Sequence, residues 1–260
     1  MATRLKDIAI LLGVYRQLKK IKIILNDLAK FKTLKQIKEE EFLFYSAFIK
    51  PGQLCFDVGA NVGDKSEIFI EIGASVVAIE PQKECIKRLK RRFINKANFL
   101  LVPYGLSDKS GNMTLKISPK SNTISTMSQR WENEGRFSND YTLAHTENVV
   151  VTTLDKIIMD YGCPDYIKID VEGFEFNVIR GLSIPVKLVS FEFVDEFLDE
   201  AVNCINYLSK LGKVTLNVIL GNSKSFIFDD FVETGLFLTY LNNLDNQEAC
   251  GDIFVKIDHE

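Results

Sequence analysis

The sequence has only two histidines, no Cys-x-x-Cys pair and no apolar run near the ~18 residues that cross a membrane. Its five cysteines (Cys55, Cys85, Cys163, Cys204 and Cys250) are scattered and odd in number. That pattern excludes a disulfide framework and a zinc-ligand set, and leads us to expect a reducing, cytoplasmic setting. A large excess of either charge is missing as well. A net charge of −3 creates no field that would draw the chain to nucleic acid or to an acidic membrane, so neither partner is expected. The apolar stretch Ile8–Val14 is short, follows Asp7 and lacks a small-residue cleavage site, so it makes a poor signal peptide. No internal repeat or linker is visible. With 260 residues and 46% hydrophobic content, the chain can bury one substantial core. The expected division is a helical extension over residues 1–50 and one α/β domain over 51–260.

The extension is read from its periodicity. Leu5, Ile8, Leu12, Tyr15, Leu18, Ile21, Leu25 and Leu28 recur at three- and four-residue steps, predicting helix from residue 4 to about 48. Arg16, Lys19, Lys20, Lys22, Lys30, Lys32, Lys35 and Lys38 make the opposite face basic. Such a helix can pack on the domain with its lysines in water, cover a cleft, or lie on a membrane surface. The first is expected.

Beyond Pro51-Gly52 comes the stretch that organises the rest: Phe56-Asp57-Val58-Gly59-Ala60-Asn61-Val62-Gly63-Asp64. An apolar strand enters a glycine turn and leaves as an amphipathic helix over Ser66–Ile72, which is the geometry of a nucleotide-binding corner. The dinucleotide fingerprint G-x-G-x-x-G has a middle glycine that admits a pyrophosphate. Here Gly59 and Gly63 are separated by Ala60, Asn61 and Val62, so that glycine is absent. Asp57 at the strand end would repel phosphates yet suits an amino-acid or sulfonium group. The next strand, Ala74–Ile79, ends in Glu80 about twenty residues after Gly59, where an acid accepts from ribose hydroxyls. Acidic loop and ribose acid together fit S-adenosylmethionine better than NAD.

A third strand over Asn98–Pro103 leads to Ser107-Asp108, where Asp108 can accept from an adenine amino group or merely close a turn. Residues 112–152 then break the strand–helix rhythm. Met113–Ile117 and Val149–Val151 read as extended, and the polar loop between them carries Trp131, Arg136, Tyr141 and His145. A loop of that length suits the wall of an acceptor site. The second centre is Tyr166-Ile167-Lys168-Ile169-Asp170-Val171-Glu172-Gly173. Alternation puts Lys168, Asp170 and Glu172 on one side, emerging at the carboxyl end of a central strand, where ligands sit in open α/β sheets. Glu192 is the corresponding acid one strand further on. Ser225–Phe228 is expected to be extended, and Asp252–Ile257 to be the last strand.

With these blocks in hand, the chain resembles the FkbM family of S-adenosylmethionine-dependent methyltransferases. The resemblance covers about residues 50–195 and rests on Phe56–Gly63, Ala78–Pro81, Leu106–Gly111, Thr153–Asp155 and Ile167–Gly173. It implies a Rossmann-like α/β fold: a seven-stranded class I methyltransferase sheet, mostly parallel with an antiparallel last strand, and helices on both faces. It also implies O-methylation of a hydroxyl on a sugar, glycan, polyketide or related metabolite. By that analogy Asp57, Gly59, Ala60, Asn61, Gly63 and Ser66 line the methionine side, Glu80 and Pro81 the ribose, and Ser107 and Asp108 the adenine. An alcohol needs help to lose its proton, and Asp170 or Glu172 is the expected base, with His145 in reserve. A Mg²⁺ site from Asp170, Glu172, Glu192 and Asp195 is an alternative, but without a spacing signature no metal is expected. The competing readings are an NAD-dependent oxidoreductase, disfavoured by the missing glycine, and a non-catalytic cofactor-binding scaffold.

Overall fold

Short apolar runs separated by amphipathic segments become strands and helices in the order the sequence predicts. The computed structural model describes residues 35–118, 125–135, 145–221, 223–244 and 250–258. The chain divides into two units, residues 1–43 and 44–260. Of the first, residues 35–43 are described; they are helical, within a helix α1 that ends at 46. The helix expected from residue 4 otherwise lies outside the described residues.

The second unit is built on Leu54–Val58 (β1), helix Asp64–Ile72 (α2), Ser75–Ile79 (β2), helix Lys83–Arg92 (α3) and Phe99–Val102 (β3). Two small-sheet strands follow, Gly105–Leu106 (β4) and Gly111–Ile117 (β5), then helix Gln129–Glu134 (α4) and His145–Thr152 (β6). Helix Leu154–Tyr161 (α5) is capped by Thr153, whose side chain accepts from Lys156 N. It leads into Tyr166–Ile169 (β7), helix Glu175–Ile179 (α6), Leu188–Val194 (β8) and helix Leu198–Leu208 (α7). The chain finishes with Lys213–Leu220 (β9), Val232–Glu233 (β10), helix Thr234–Asn242 (α8) and Cys250–Asp258 (β11).

The main sheet has the order β10-β9-β11-β8-β7-β1-β2-β3. From β3 to β8 all pairings are parallel, and β11 inserts antiparallel between β8 and β9. This is the expected Rossmann-like methyltransferase arrangement, with a two-residue strand, β10, added antiparallel at one edge. Ser225–Phe228, expected to be extended, belongs to none of these strands. The chain winds outward from β1 through β2 to β3, then returns to β7 on the other side of β1. That reversal opens a crevice above the carboxyl ends of β1 and β7, where open α/β sheets bind ligands.

Alternation along the strands divides the core. Phe56, Val58, Ile167, Ile169, Val189 and Phe191 face α5 to α8, meeting Leu154, Ile157, Val178, Ala201, Ile205 and Phe237. On the opposite face Tyr45, Phe48, Phe69, Tyr166 and Phe254 pack ring against ring. Of these, Tyr45, Phe69, Tyr166 and Phe254 are fully buried, and each contributes roughly 1.5–3 kcal/mol. Within the irregular region 112–152 the described strands make a separate three-stranded sheet: β5 and β6 pair antiparallel, and β4 joins β6.

Candidate active site

The turn after β1 is held by side chains that the glycine spacing alone does not reveal. Asp57 is buried at the end of β1 and accepts from Ser66 Oγ at 2.6 Å, tying the strand to α2. Burial pushes its carboxyl up, against the opposing pull of Lys168 and the Ser66 hydrogen bond. Gly59 has φ 78°, and a Cβ there would overlap the carbonyl oxygen of Asp170. The turns after β1 and β7 therefore touch backbone to backbone. Gly63 serves a different purpose. It caps α2 with φ 87°, and a Cβ on it would lie 2.5 Å from the Phe93 ring, so its bareness lets α3 pack closely.

Glu80 clips two turns together. Its Oε2 accepts from Asn61 N at 2.8 Å and its Oε1 from Gln82 N at 2.8 Å. Asn61 itself takes a left-handed φ of 49°, a conformation that asparagine tolerates. Burial pushes the Glu80 carboxyl up to about 7, although both backbone hydrogen bonds oppose the shift.

Across the crevice, β7 stops at Ile169, earlier than the alternation suggested, and Asp170–Gly173 forms a turn. Glu172 there has φ 55°, and Gly173, with φ 82°, lies against the Trp131 ring, where a Cβ would meet it at 2.6 Å. Glu175 holds this turn from the start of α6: its Oε1 accepts from Val171 N at 3.0 Å and Gly173 N at 3.3 Å. Thr126 Oγ1 donates to the Glu172 carbonyl at 2.6 Å. Below the turn, buried Lys168 donates to Asp170 Oδ2 at 2.6 Å. Burial alone would lower the Lys168 pKa, but Asp170, Asp252 and Asp57 together raise it above its ordinary value. Burial, then Asp170 and Glu175, push Glu172 up to about 9.

Between these turns lies a cavity of about 170 Å³. Glu80, Asp170 and Glu172 supply its acids; Ile79, Leu106, Leu115 and Met127 supply an apolar wall; Asn61, Gln82, Tyr104 and Ser125 are its polar members. Among the described residues no lysine, arginine or histidine lines it. Of the residues singled out from sequence, Gly59, Asn61, Glu80, Pro81, Asp170 and Glu172 meet here. Asp57, Ala60, Gly63 and Ser66 build the turn behind it without lining it. Ser107 is buried with its N–H on the Thr152 carbonyl, and Asp108 pairs with Arg180 at 2.9 Å; neither lines the cavity. His145 is exposed, opposite Ile117 on β6 rather than in a loop, and stands outside the cavity too.

Sequence reading missed Glu175 and the contributions of Tyr104, Leu115, Ser125 and Met127. An acid in the first turn of a helix two residues after a glycine was the available signal for Glu175. Leu115 comes from β5, and Tyr104, Ser125 and Met127 from the connections beside the small sheet, whose docking no local pattern encodes.

Residues 57–215, more than half the chain, match the family model described as the methyltransferase FkbM domain. The chain belongs to the FkbM methyltransferase family. This FkbM-family chain is similar to the hexuronic acid methyltransferase AglP of Haloferax volcanii, with 29% identity over 142 residues, covering 54% of this chain and 54% of that protein. It thus spans about half the length of that relative. Precorrin-6y C5,15-methyltransferase from Geobacter metallireducens GS-15 aligns with a TM-score of 0.44 and 12% identity over 83% of this chain and 85% of that one. An rRNA methylase from Streptococcus thermophilus gives 0.41 and 10% over 84% and 94%. Among the described residues no helix is long and apolar enough to cross a membrane.

Proposed function

We propose that this FkbM-family methyltransferase uses S-adenosylmethionine to O-methylate a hydroxyl of a sugar, glycan, polyketide or related metabolite, its catalytic domain being residues 51–260. The observation that carries this reading is the make-up of the cavity: three carboxyl groups, two of them pushed up by burial so that a bound cation would draw them into the ionised form, and no lysine, arginine or histidine among the described residues that line it. A pyrophosphate would be repelled there, whereas a cofactor bearing a sulfonium and an ammonium is attracted. Glu80 retains lone pairs beyond the two backbone bonds and can accept from ribose hydroxyls. Ile79, Leu106, Leu115 and Met127 offer an apolar wall for adenine.

When bound, the cofactor supplies an electrophilic methyl carbon on positively charged sulfur. The protein's task is to hold the acceptor oxygen in line with the carbon–sulfur bond. As the new oxygen–carbon bond forms, the bonding pair stays with sulfur and the hydroxyl proton must leave. Asp170 and Glu172 edge the cavity where a carboxylate can take it. The AglP relative, named for hexuronic acid, supports a carbohydrate acceptor.

Calorimetric titration with S-adenosylhomocysteine and with NAD tests the cofactor, and transfer of labelled methyl to hexoses and hexuronic acids tests the acceptor. Micromolar homocysteine-product binding that disappears in Glu80→Ala supports the reading. Absence of that binding, or tighter binding of NAD, would overturn it.

A further inference from the structure

Two carboxylates beside the cavity have nothing to hold on to. Glu172, in the turn after β7, and Glu192, on β8, form neither a hydrogen bond nor an ion pair through their carboxylates among the described residues. Glu192 is half-buried and lines a small cavity together with Trp131, Phe193 and Phe197. Glu172 opens instead onto the main cavity. One oxygen from each, with one from Asp170, lie within 4.8 Å of one another. Two unpartnered acids on separate elements converge on a single point with a third.

Charge balance makes this arrangement incomplete. Lys168 reaches Asp170 alone at bonding distance, and Asp57 and Asp252 draw on the same ammonium. Neither Glu172 nor Glu192 has a cation at bonding distance among the described residues, and a buried carboxylate is stable in its charged form only when it is paired. We propose that Asp170, Glu172 and Glu192 form a binding site for a hard divalent cation of the Mg²⁺ or Mn²⁺ class. The donor set is all oxygen, which suits those ions, and contains no thiolate or imidazole of the kind that selects zinc. Three carboxylate oxygens leave octahedral positions for water and an incoming hydroxyl.

The functional consequence rests on the methyl-transfer reading above. A cation held there would lower the pKa of an acceptor hydroxyl, and Asp170 and Glu172 would then serve as its ligands in place of taking the proton themselves, the proton leaving to water. The acceptor oxygen then attacks the methyl carbon as the carbon–sulfur bond breaks toward sulfur.

The test uses the whole 260-residue chain. Free Mn²⁺ is counted by electron paramagnetic resonance during titration to about 1 mM, the weak end of biological divalent sites. S-adenosylhomocysteine binding is measured in parallel by calorimetry. The proposal expects one Mn²⁺ per chain, displaced by Mg²⁺, and a loss of affinity in Glu192→Gln exceeding the roughly 10–100-fold typical of second-shell changes. Circular dichroism checks the variant's fold; should it not fold, Glu172→Gln gives the same readout from the exposed side of the cluster. No Mn²⁺ binding by the wild-type protein, or unchanged binding in a folded variant, overturns the cation site and leaves the methyl-transfer reading standing. Mn²⁺ binding lost in the variant, without homocysteine-product binding by the wild type, supports the site and overturns that reading instead.

Discussion

A Cβ on Gly59 would overlap the carbonyl oxygen of Asp170, so the turns that end β1 and β7 can meet only if residue 59 has no side chain. Gly59 also has φ 78°, where an L side chain is strained. Gly59→Ala must therefore push the two turns apart or distort one of them. A strained left-handed residue and an overpacked contact each cost about 1–3 kcal/mol. Urea denaturation should show a loss of at least about 2 kcal/mol, and S-adenosylhomocysteine binding should be abolished. Wild-type stability and binding in this variant would mean that the close approach is not a requirement of the fold.

Glu80 makes the site's pH dependence predictable. Its carboxyl rises from 4.5 to about 7, chiefly through burial. The folded state therefore binds a proton that the unfolded state has released between those values. Stability from this group is fully present below pH 4.5 and is lost as pH climbs through about 7. The full shift corresponds to at most about 3 kcal/mol. Glu80→Gln, which keeps one oxygen acceptor, should flatten that part of the stability curve measured by urea titration at successive pH values. An unchanged slope would show that Glu80 is ionised throughout.

The two blocks that build the cavity were legible because each carries its constraint locally. Gly59 and Gly63 mark a strand-to-helix turn by spacing, and Asp170 and Glu172 stand out as charges at the end of an apolar run. The division of labour between the glycines was not legible. Gly59 meets Asp170 and Gly63 meets Phe93, both distant in sequence. The same limit applies to Asp108, whose partner Arg180 is supplied by the end of α6, and to Met127, which reaches the cavity from just before α4. Period-two patterning found β5 and β6 but not their pairing register, which puts His145 on a strand.

That register leads to a prediction for His145. The residue is exposed and opposite Ile117, away from the carboxylates of the cavity. His145→Ala should leave stability within about 0.5 kcal/mol, as for ordinary surface changes. Methyl transfer should keep kcat within about twofold. Removing a general base costs about 10²–10⁴-fold, so a loss of that size would place His145 in the chemistry after all.

Lys168 is the structural counterweight to the site's acidity, and a double-mutant cycle measures how much of the fold depends on it. Its ammonium is buried and pairs with Asp170, whose side chain remains 38% exposed. Lys168→Met fits the hydrophobic strand but takes from Asp170 its ion-pair partner and from Asp57 and Asp252 the cation that acts on them most strongly. Breaking a buried pair costs about 3–5 kcal/mol, and the lower end, roughly 3 kcal/mol, is expected because Asp170 is partly solvated. If the pair itself carries that cost, Asp170→Asn in the Lys168→Met background should recover about 1 kcal/mol or more relative to additivity. Strict additivity would assign the lysine's contribution to Asp57 and Asp252 instead. The same cycle followed by S-adenosylhomocysteine binding separates positioning from stability: a folded Lys168→Met variant that binds normally has lost only the counter-charge, whereas one that fails to bind has lost the orientation of the turn bearing Asp170.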